Sequence, residues 1–255
     1  MKRLLVLLTA LMMLLSVATA EGLPTLADPL TGVICWPEGS DEFNAAYVYR
    51  YSYPQVAGES DLAELINGTY AYLVEDAIGF RIPMNADGLD PNADVQAYTT
   101  ITHQVTCLNE RYLSVLITTE SFMGMSTSTI VAGHTFSLLS GAKTGTVTSL
   151  PYLLGILDED DLSDEWMQDR QTARADECVR GLIWEIIEQQ IARGEVAYYD
   201  DIDYQMLADN FYPEEAFYLN ADGDPVFFIQ EGLVAPVSEG VLRFPFTMEE
   251  LLDEI

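Results

Sequence analysis

Between Phe43 and Tyr53 the chain alternates: Phe43, Ala45, Tyr47, Tyr49, Tyr51 and Tyr53 occupy every second position. A period of two places all six on one face of a β-strand, with Asn44, Ala46, Val48, Arg50 and Ser52 on the other. Four tyrosines in a row form an apolar face that water does not cover well, so the segment demands a second layer. Pro54 is expected to stop the strand. A covering element comes at once. Ser60 or Asp61 can cap a helix, and Leu62, Leu65, Ile66, Thr69, Leu73, Ala77 and Ile78 recur at three- and four-residue steps, with Gly79 at the end. The tyrosine row is therefore expected to lie under this helix; the alternative is an aromatic platform for a sugar or a protein partner.

Residues 21–42, rich in Pro and Gly, read as an entry segment. After a polar loop at 85–94 come three stretches dense in Thr, Val, Ile and Tyr, at 95–107, 111–120 and 127–139, with Asn109-Glu110 suited to a tight connection. The second half differs. A turn-rich link at 142–148 and a short apolar segment at 150–154 lead to an acidic run at 158–165, where Ser163 can cap a helix whose first turn is negative. Cys178, Leu182, Ile186, Ile187 and Ile191 continue a helical stripe to Gly194, and 203–211 reads as a short helix. Asp222-Gly223 between two apolar runs, 216–219 and 226–230, is a hairpin signal. Strands at 233–237 and 241–246 lead to a terminal helix opened by the capping box Thr247-Met248-Glu249-Glu250. The expected fold class is α+β: two lobes, each an antiparallel sheet with helices packed on one face. The expected domains are a signal peptide at 1–20, the entry segment at 21–42, an N-terminal domain at 43–140 and a C-terminal domain at 141–255.

The signal peptide rests on Lys2 and Arg3, the apolar run from Leu4 to Leu15, and the small-x-small site at Ala18 and Ala20, with cleavage after Ala20. An uncleaved anchor is the alternative, but the run is short for a hydrocarbon core of roughly 30 Å. No second long apolar segment is present, so no membrane span is expected after the leader is removed, and the localisation is secreted or extracytoplasmic. The chain holds 41 acidic and 11 basic residues, a formal charge of −30, more negative still once Lys2 and Arg3 are gone. That field repels nucleic acid and anionic lipid and favours basic partners and cations. The 49% hydrophobic content excludes a disordered acidic tail. Of the three cysteines, Cys178 reads as a small hydrophobe on a helix; Cys35 and Cys107 either form a bridge or stay as thiols.

The hairpin and the segment C-terminal to it carry a resemblance. Phe217-Tyr218, Asp222-Gly223, Phe227-Phe228, Val234-Ala235-Pro236, Gly240 and Phe244 to Leu252 resemble the C-terminal signature of a bacterial envelope domain of unknown function. Tyr51 to Leu73 with Ile66-Asn67, Leu113-Ser114-Val115, and Thr144-Gly145 to Leu154 resemble its companion domain. The tandem pair occurs in the extracytoplasmic region of a lysozyme-sensing anti-sigma factor and beside the catalytic module of peptidoglycan deacetylases. The resemblance implies binding or sensing in the envelope, with a basic protein such as lysozyme or a cell-wall glycan as the ligand. The sequence departs from the pattern where members carry Gly-Gly-Ala-His, since Gly124-Met125-Ser126-Thr127-Ser128 stands there. Only Lys2 and Arg3 precede the apolar run and no deacetylase module is attached, so neither sigma-factor inhibition nor deacetylation is carried over.

No pattern names a reaction, and no catalytic residue, metal ligand or cofactor is assigned. His103 and His134, the only histidines, lack the helical spacing of a zinc site and read as sheet residues. Asp90-Pro91-Asn92-Ala93-Asp94 and Asn220 to Asp224 imitate calcium loops, but counted from Asp90 the sixth and twelfth positions are Val95 and Ile101, not Gly and Glu. Turn chemistry accounts for both, with an irregular calcium site the alternative. Gly141-Ala142-Lys143-Thr144 lacks the leading glycine of a phosphate loop. An exported binding or sensing protein is thus the leading expectation, ahead of a structural or assembly subunit and of a wall hydrolase using two carboxylates.

Overall fold

The computed structural model describes residues 23–90, 95–139, 144–157 and 165–254. The expectations at Ala18, Ala20, Asn92, Lys143 and Ser163 lie outside them. Five strands form the first sheet: β1 (Leu26–Trp36), β2 (Tyr47–Val56), β3 (Ala97–Leu108), β4 (Tyr112–Phe122) and β5 (Thr127–Ser137), side by side in chain order. β6 (Phe217–Leu219), β7 (Pro225–Ile229) and β8 (Leu242–Pro245) form an antiparallel second sheet. The α+β class and the helices flanking each sheet are as expected.

Within the first sheet one pair departs from the antiparallel expectation: β2 and β3 run parallel. A parallel pair needs a crossover, and helix α1 (Asp61–Asp76) supplies it. Ser60 caps α1, its Oγ accepting from the Ala63 amide at 3.2 Å. The Asn67 side chain ties the helix to β2, accepting from the Val56 amide at 2.8 Å and donating to the Val56 carbonyl at 2.9 Å. Tyr47, Tyr49 and Tyr53 are buried beneath α1, and Tyr53 stacks on Tyr70 at 5.2 Å. The tyrosine row is core, as expected; Phe43 lies before the strand, fully exposed.

Five expectations need correction. The entry segment contains a strand, β1, paired antiparallel with β2 over nearly its whole length. Pro54 does not end β2; it sits beside the irregularity between Ala27 and Leu30, beyond the last pairing to β3, where a missing N–H costs nothing. Of the stripe expected on α1, Ile66 and Ala77 are buried and Leu62 and Leu73 pack against the core, but Leu65 and Ile78 are exposed, and Ala63, Tyr70 and Val74 complete the buried face. The helix also does not stop at Gly79: a π-helical turn (Ala77–Arg81) carries it into α2 (Ile82–Ala86). At 233–237 there is no strand; a buried link through Val234 and Ala235 runs into a 3-10 turn at Val237–Glu239.

Helix α3 (Leu150–Leu153) precedes the long α4 (Glu165–Arg193), followed by α5 (Tyr204–Asn210) and α6 (Met248–Glu254). α4 buries Ala175, Val179, Ile183 and Ile187 at four-residue steps; the expected Ile191 is exposed, and Gly194 ends the helix with positive φ. Asp203 caps α5 and Thr247 caps α6 with the reciprocal Glu250 bond expected of a capping box. Phe227 and Ile229 of β7 face this helical layer, whereas Phe228 turns to Leu116 and Val131 of the first sheet. The second sheet thus lies between the long helix and the back of the first sheet. This explains why 112–117 in β4 and all of β7 are buried along both faces, and why both read as near-continuous apolar runs.

Two features fix how the sheets meet. Ser114 Oγ lies 2.9 Å from Thr135 Oγ1 and accepts the Leu219 amide at 2.9 Å, so one hydroxyl joins β4, β5 and β6. At Gly133 a Cβ would fall on the Phe217 carbonyl oxygen; only glycine allows the backbones to approach this closely.

Candidate recognition groove

β5 is an edge strand whose outer edge is guarded at both ends. At one end the chain after 143 returns along it, with bridges Phe136 to Val147 and Ser137 to Thr144 and a Thr148 amide bond to Thr135 at 2.7 Å. At the other, the Gln230 side chain imitates a neighbouring strand, accepting the Val131 amide at 3.0 Å and donating to the Val131 carbonyl at 2.7 Å. The Glu231 carboxylate accepts the Thr129 amide at 2.6 Å. Between these guards, at 132–134, the edge opens into a groove.

The groove consists of two adjoining clefts that share Ala132 and Glu215 in their walls. One, of ≈ 400 Å³, is lined by His134, Thr148, Ser149, Glu214 and Glu215. The other, of ≈ 410 Å³, is lined by Asp209, Tyr212, Phe228 and Gln230. No Lys or Arg among the described residues lines either cleft. Burial and the neighbouring Glu215 raise the Glu214 pKa above the usual carboxylate range. Burial lowers that of His134, whose Nδ1 has no hydrogen-bond partner among the described residues and whose ring packs against Tyr70 and Phe136. Tyr212 is 53% exposed. The arrangement offers negative charge, hydroxyls and one exposed aromatic ring to a ligand with positive charge.

No family model matches the chain, and no curated protein matches its sequence significantly. Solved structures do match. A member of the DUF3298 family from Bacteroides fragilis is 14% identical, with a TM-score of 0.56 over 91% of this chain and 94% of that one. A DUF3298 family protein from Pseudomonas aeruginosa PAO1 is 12% identical, with a TM-score of 0.52 over the same shares. The likeness is one of fold. It fits the resemblance to a domain of unknown function carried by the hairpin region, and at this identity it places no ligand.

Within this fold the other expected features have structural explanations. His103 and His134 lie on strands separated by β4, and His103 Nδ1 is held by Ser52, 3.0 Å from its carbonyl oxygen. Among the described residues no group of His, Cys, Asp and Glu is placed to hold a metal. Cys35 and Cys107 do not bridge. Cys35 pairs with Val48, beside Tyr98 of β3, nine positions from Cys107, far outside the Cα separation of about 7 Å a disulfide tolerates. Asn220 is a turn residue, its Oδ1 accepting the amides of Asp222 and Asp224, while Asp224 accepts the first amide of α6 at 2.9 Å. Glu214, Glu215, Tyr212 and Asp209 were not singled out by sequence reasoning. The only local signal is an acidic pair after Pro213, one among many in so acidic a chain.

Proposed function

We propose that this chain is an exported, non-catalytic binding or sensing protein of the cell envelope, and that the groove along β5 receives a basic protein such as lysozyme. The observation that carries the reading is a groove walled by Asp209, Glu214 and Glu215 with no Lys or Arg in its lining, on a chain of net charge −30. Complementary charge speeds encounter and selects partners. The leader ending at Ala18 and Ala20 supports export. Among the described residues no helix is long and apolar enough to cross a membrane. A cell-wall glycan is the second reading, supported by the exposed Tyr212 ring, which can stack on a sugar face.

The test is titration calorimetry of the secreted protein with lysozyme and with solubilised peptidoglycan at low and moderate salt. Lysozyme should bind, more weakly as salt rises, and the double variant Glu214→Gln, Glu215→Gln should weaken it about tenfold, the scale of one charge pair. Binding that ignores the double variant would remove the groove from the interaction, and no binding of either ligand would remove the reading.

A further inference from the structure

The outward side of α1 and its π-helical extension carries large apolar side chains that the fold leaves mostly exposed. Tyr72 is 66% exposed, Ile78 52%, Phe80 61% and Met84 57%. Exposed apolar side chains are ordinary singly; here Tyr72, Phe80 and Met84 recur as a row along one helical body, because the extra residue of the π turn brings Phe80 round to the side of Tyr72, with Ile78 beside them. The π turn creates part of the row. Ala77 and Ile82, five residues apart, are both buried, so the extra residue in the turn pushes Ile78 to Arg81 outward as a bulge. Such bulges recur at functional sites. Beside them Gly68 and Ala71 are exposed. Outside its own helix, Gly68 has no heavy atom within 4 Å of where a Cβ would stand. A glycine inside a helix costs about 1 kcal/mol relative to alanine, and here no contact in the fold requires it. The row therefore has a notch, Gly68 and Ala71, flanked by large apolar groups at one end.

We propose that this face docks an amphipathic helix of a partner protein, with basic residues flanking its apolar stripe. The notch lets a second helix axis approach closely, which side-chain size at the crossing decides. The rim selects the charge. Asp61, Glu64 and Glu75 are exposed beside the row, and its one cation, Arg81, is held by Asp76 at 2.7 Å. A second copy of this chain is the wrong occupant: two copies crossing antiparallel at Gly68 and Ala71 would set Glu64 against Glu75. An anionic lipid surface is disfavoured by the same rim. The surface is separate from the β5 groove and does not depend on what fills it.

The probe is a labelled synthetic Leu/Lys amphipathic helix of about 14 residues, matched to the roughly 21 Å from Glu64 to Ile78 at 1.5 Å per residue. A Leu/Glu peptide of the same pattern serves as control, and both are titrated by fluorescence anisotropy against the secreted protein. Gly68→Leu fills the notch without changing charge and favours the helix, so it should fold normally by circular dichroism yet bind the Leu/Lys peptide at least tenfold more weakly. Phe80→Ser should weaken it severalfold, while Glu214→Gln with Glu215→Gln leaves it unchanged. Equal binding to wild type and Gly68→Leu would overturn the proposal, because the peptide would then be held by bulk charge. So would equal binding of the Leu/Glu peptide, or a wild-type dimer that Gly68→Leu dissociates.

Discussion

Two glycines in this chain stand in opposite situations, and the same substitution separates them. At Gly133 a Cβ would meet the Phe217 backbone oxygen, and neither backbone can move without opening the junction of the sheets. Gly133→Ala should therefore destabilise by about 3 kcal/mol, the upper end of ordinary overpacking. At Gly68 the added methyl meets nothing, and Gly68→Ala should stabilise by about 1 kcal/mol through helix propensity. Urea denaturation midpoints of the two variants should move in opposite directions. Ser114 belongs to the same scale. Ser114→Ala leaves the buried Leu219 amide without its acceptor, at a cost of about 1–3 kcal/mol. The Leu-Ser-hydrophobic pattern was legible in the sequence, but the hydroxyl's role was not, because its partner lies 105 positions away. His134 adds a pH dependence. Burial lowers its pKa below 6.5, so below that pH the unfolded chain binds a proton that the folded one does not. Its share of stability is complete above pH 6.5 and declines as pH falls through the lowered value. His134→Phe should flatten the fall in melting temperature over that window; an unchanged profile would show that another group governs it.

At the level of elements, what could be read from sequence was what local chemistry decides. The Asp222-Gly223 hairpin, the Asn109 turn and the Thr247-Glu250 cap each involve residues within a few positions of one another. β1 was missed because Pro29 and Gly32 look like loop residues. Gly32 is instead where the Tyr51 ring takes the space a Cβ would fill, a reason that exists only once β2 is alongside. The phase of α1 was read only in part, with Ile66 and Ala77 buried but Leu65 and Ile78 exposed, because apolar residues occupy both its faces and periodicity cannot choose between a face that meets the core and one that meets solvent. The groove was illegible for a stronger reason: its walls come from four separate segments, at 131–134, 147–149, 209–217 and 228–233. The π turn makes a prediction at this scale. Deleting Gly79 shortens the step from Ala77 to Ile82 from five residues to four, which is the spacing of an ordinary helix, so the buried residues keep their phase. The deletion variant should fold with a melting temperature equal to or above wild type and lose the outward bulge. A large loss of stability would mean that the π turn serves packing rather than exposure.

For the molecule as a whole, charge sets two quantities in opposition. Among the described residues Arg50, Arg81, Arg180 and Arg193 all lie within ion-pair distance of carboxylates, yet 41 acids against 11 bases leave a large uncompensated surplus. Exposed pairs contribute little, whereas the surplus acts on the compact state as mutual repulsion. Raising ionic strength from 10 mM to 150 mM shortens the screening length from about 30 Å to about 8 Å, which relieves repulsion among distant carboxylates more than it weakens close pairs. The melting temperature should therefore rise with salt, while affinity for a cationic ligand at the β5 groove should fall over the same range. Acid should act on that affinity too. The raised pKa of Glu214 means the groove begins to lose its charge at a higher pH than ordinary carboxylates do, so binding should weaken early in an acid titration, and Glu214→Gln should remove that early step. Melting curves and calorimetric titrations on one sample across both salt levels measure the two slopes together. Opposite signs are the signature of a fold strained by its own field and a partner drawn in by it; a melting temperature that fell with salt would show that the few ion pairs outweigh the surplus.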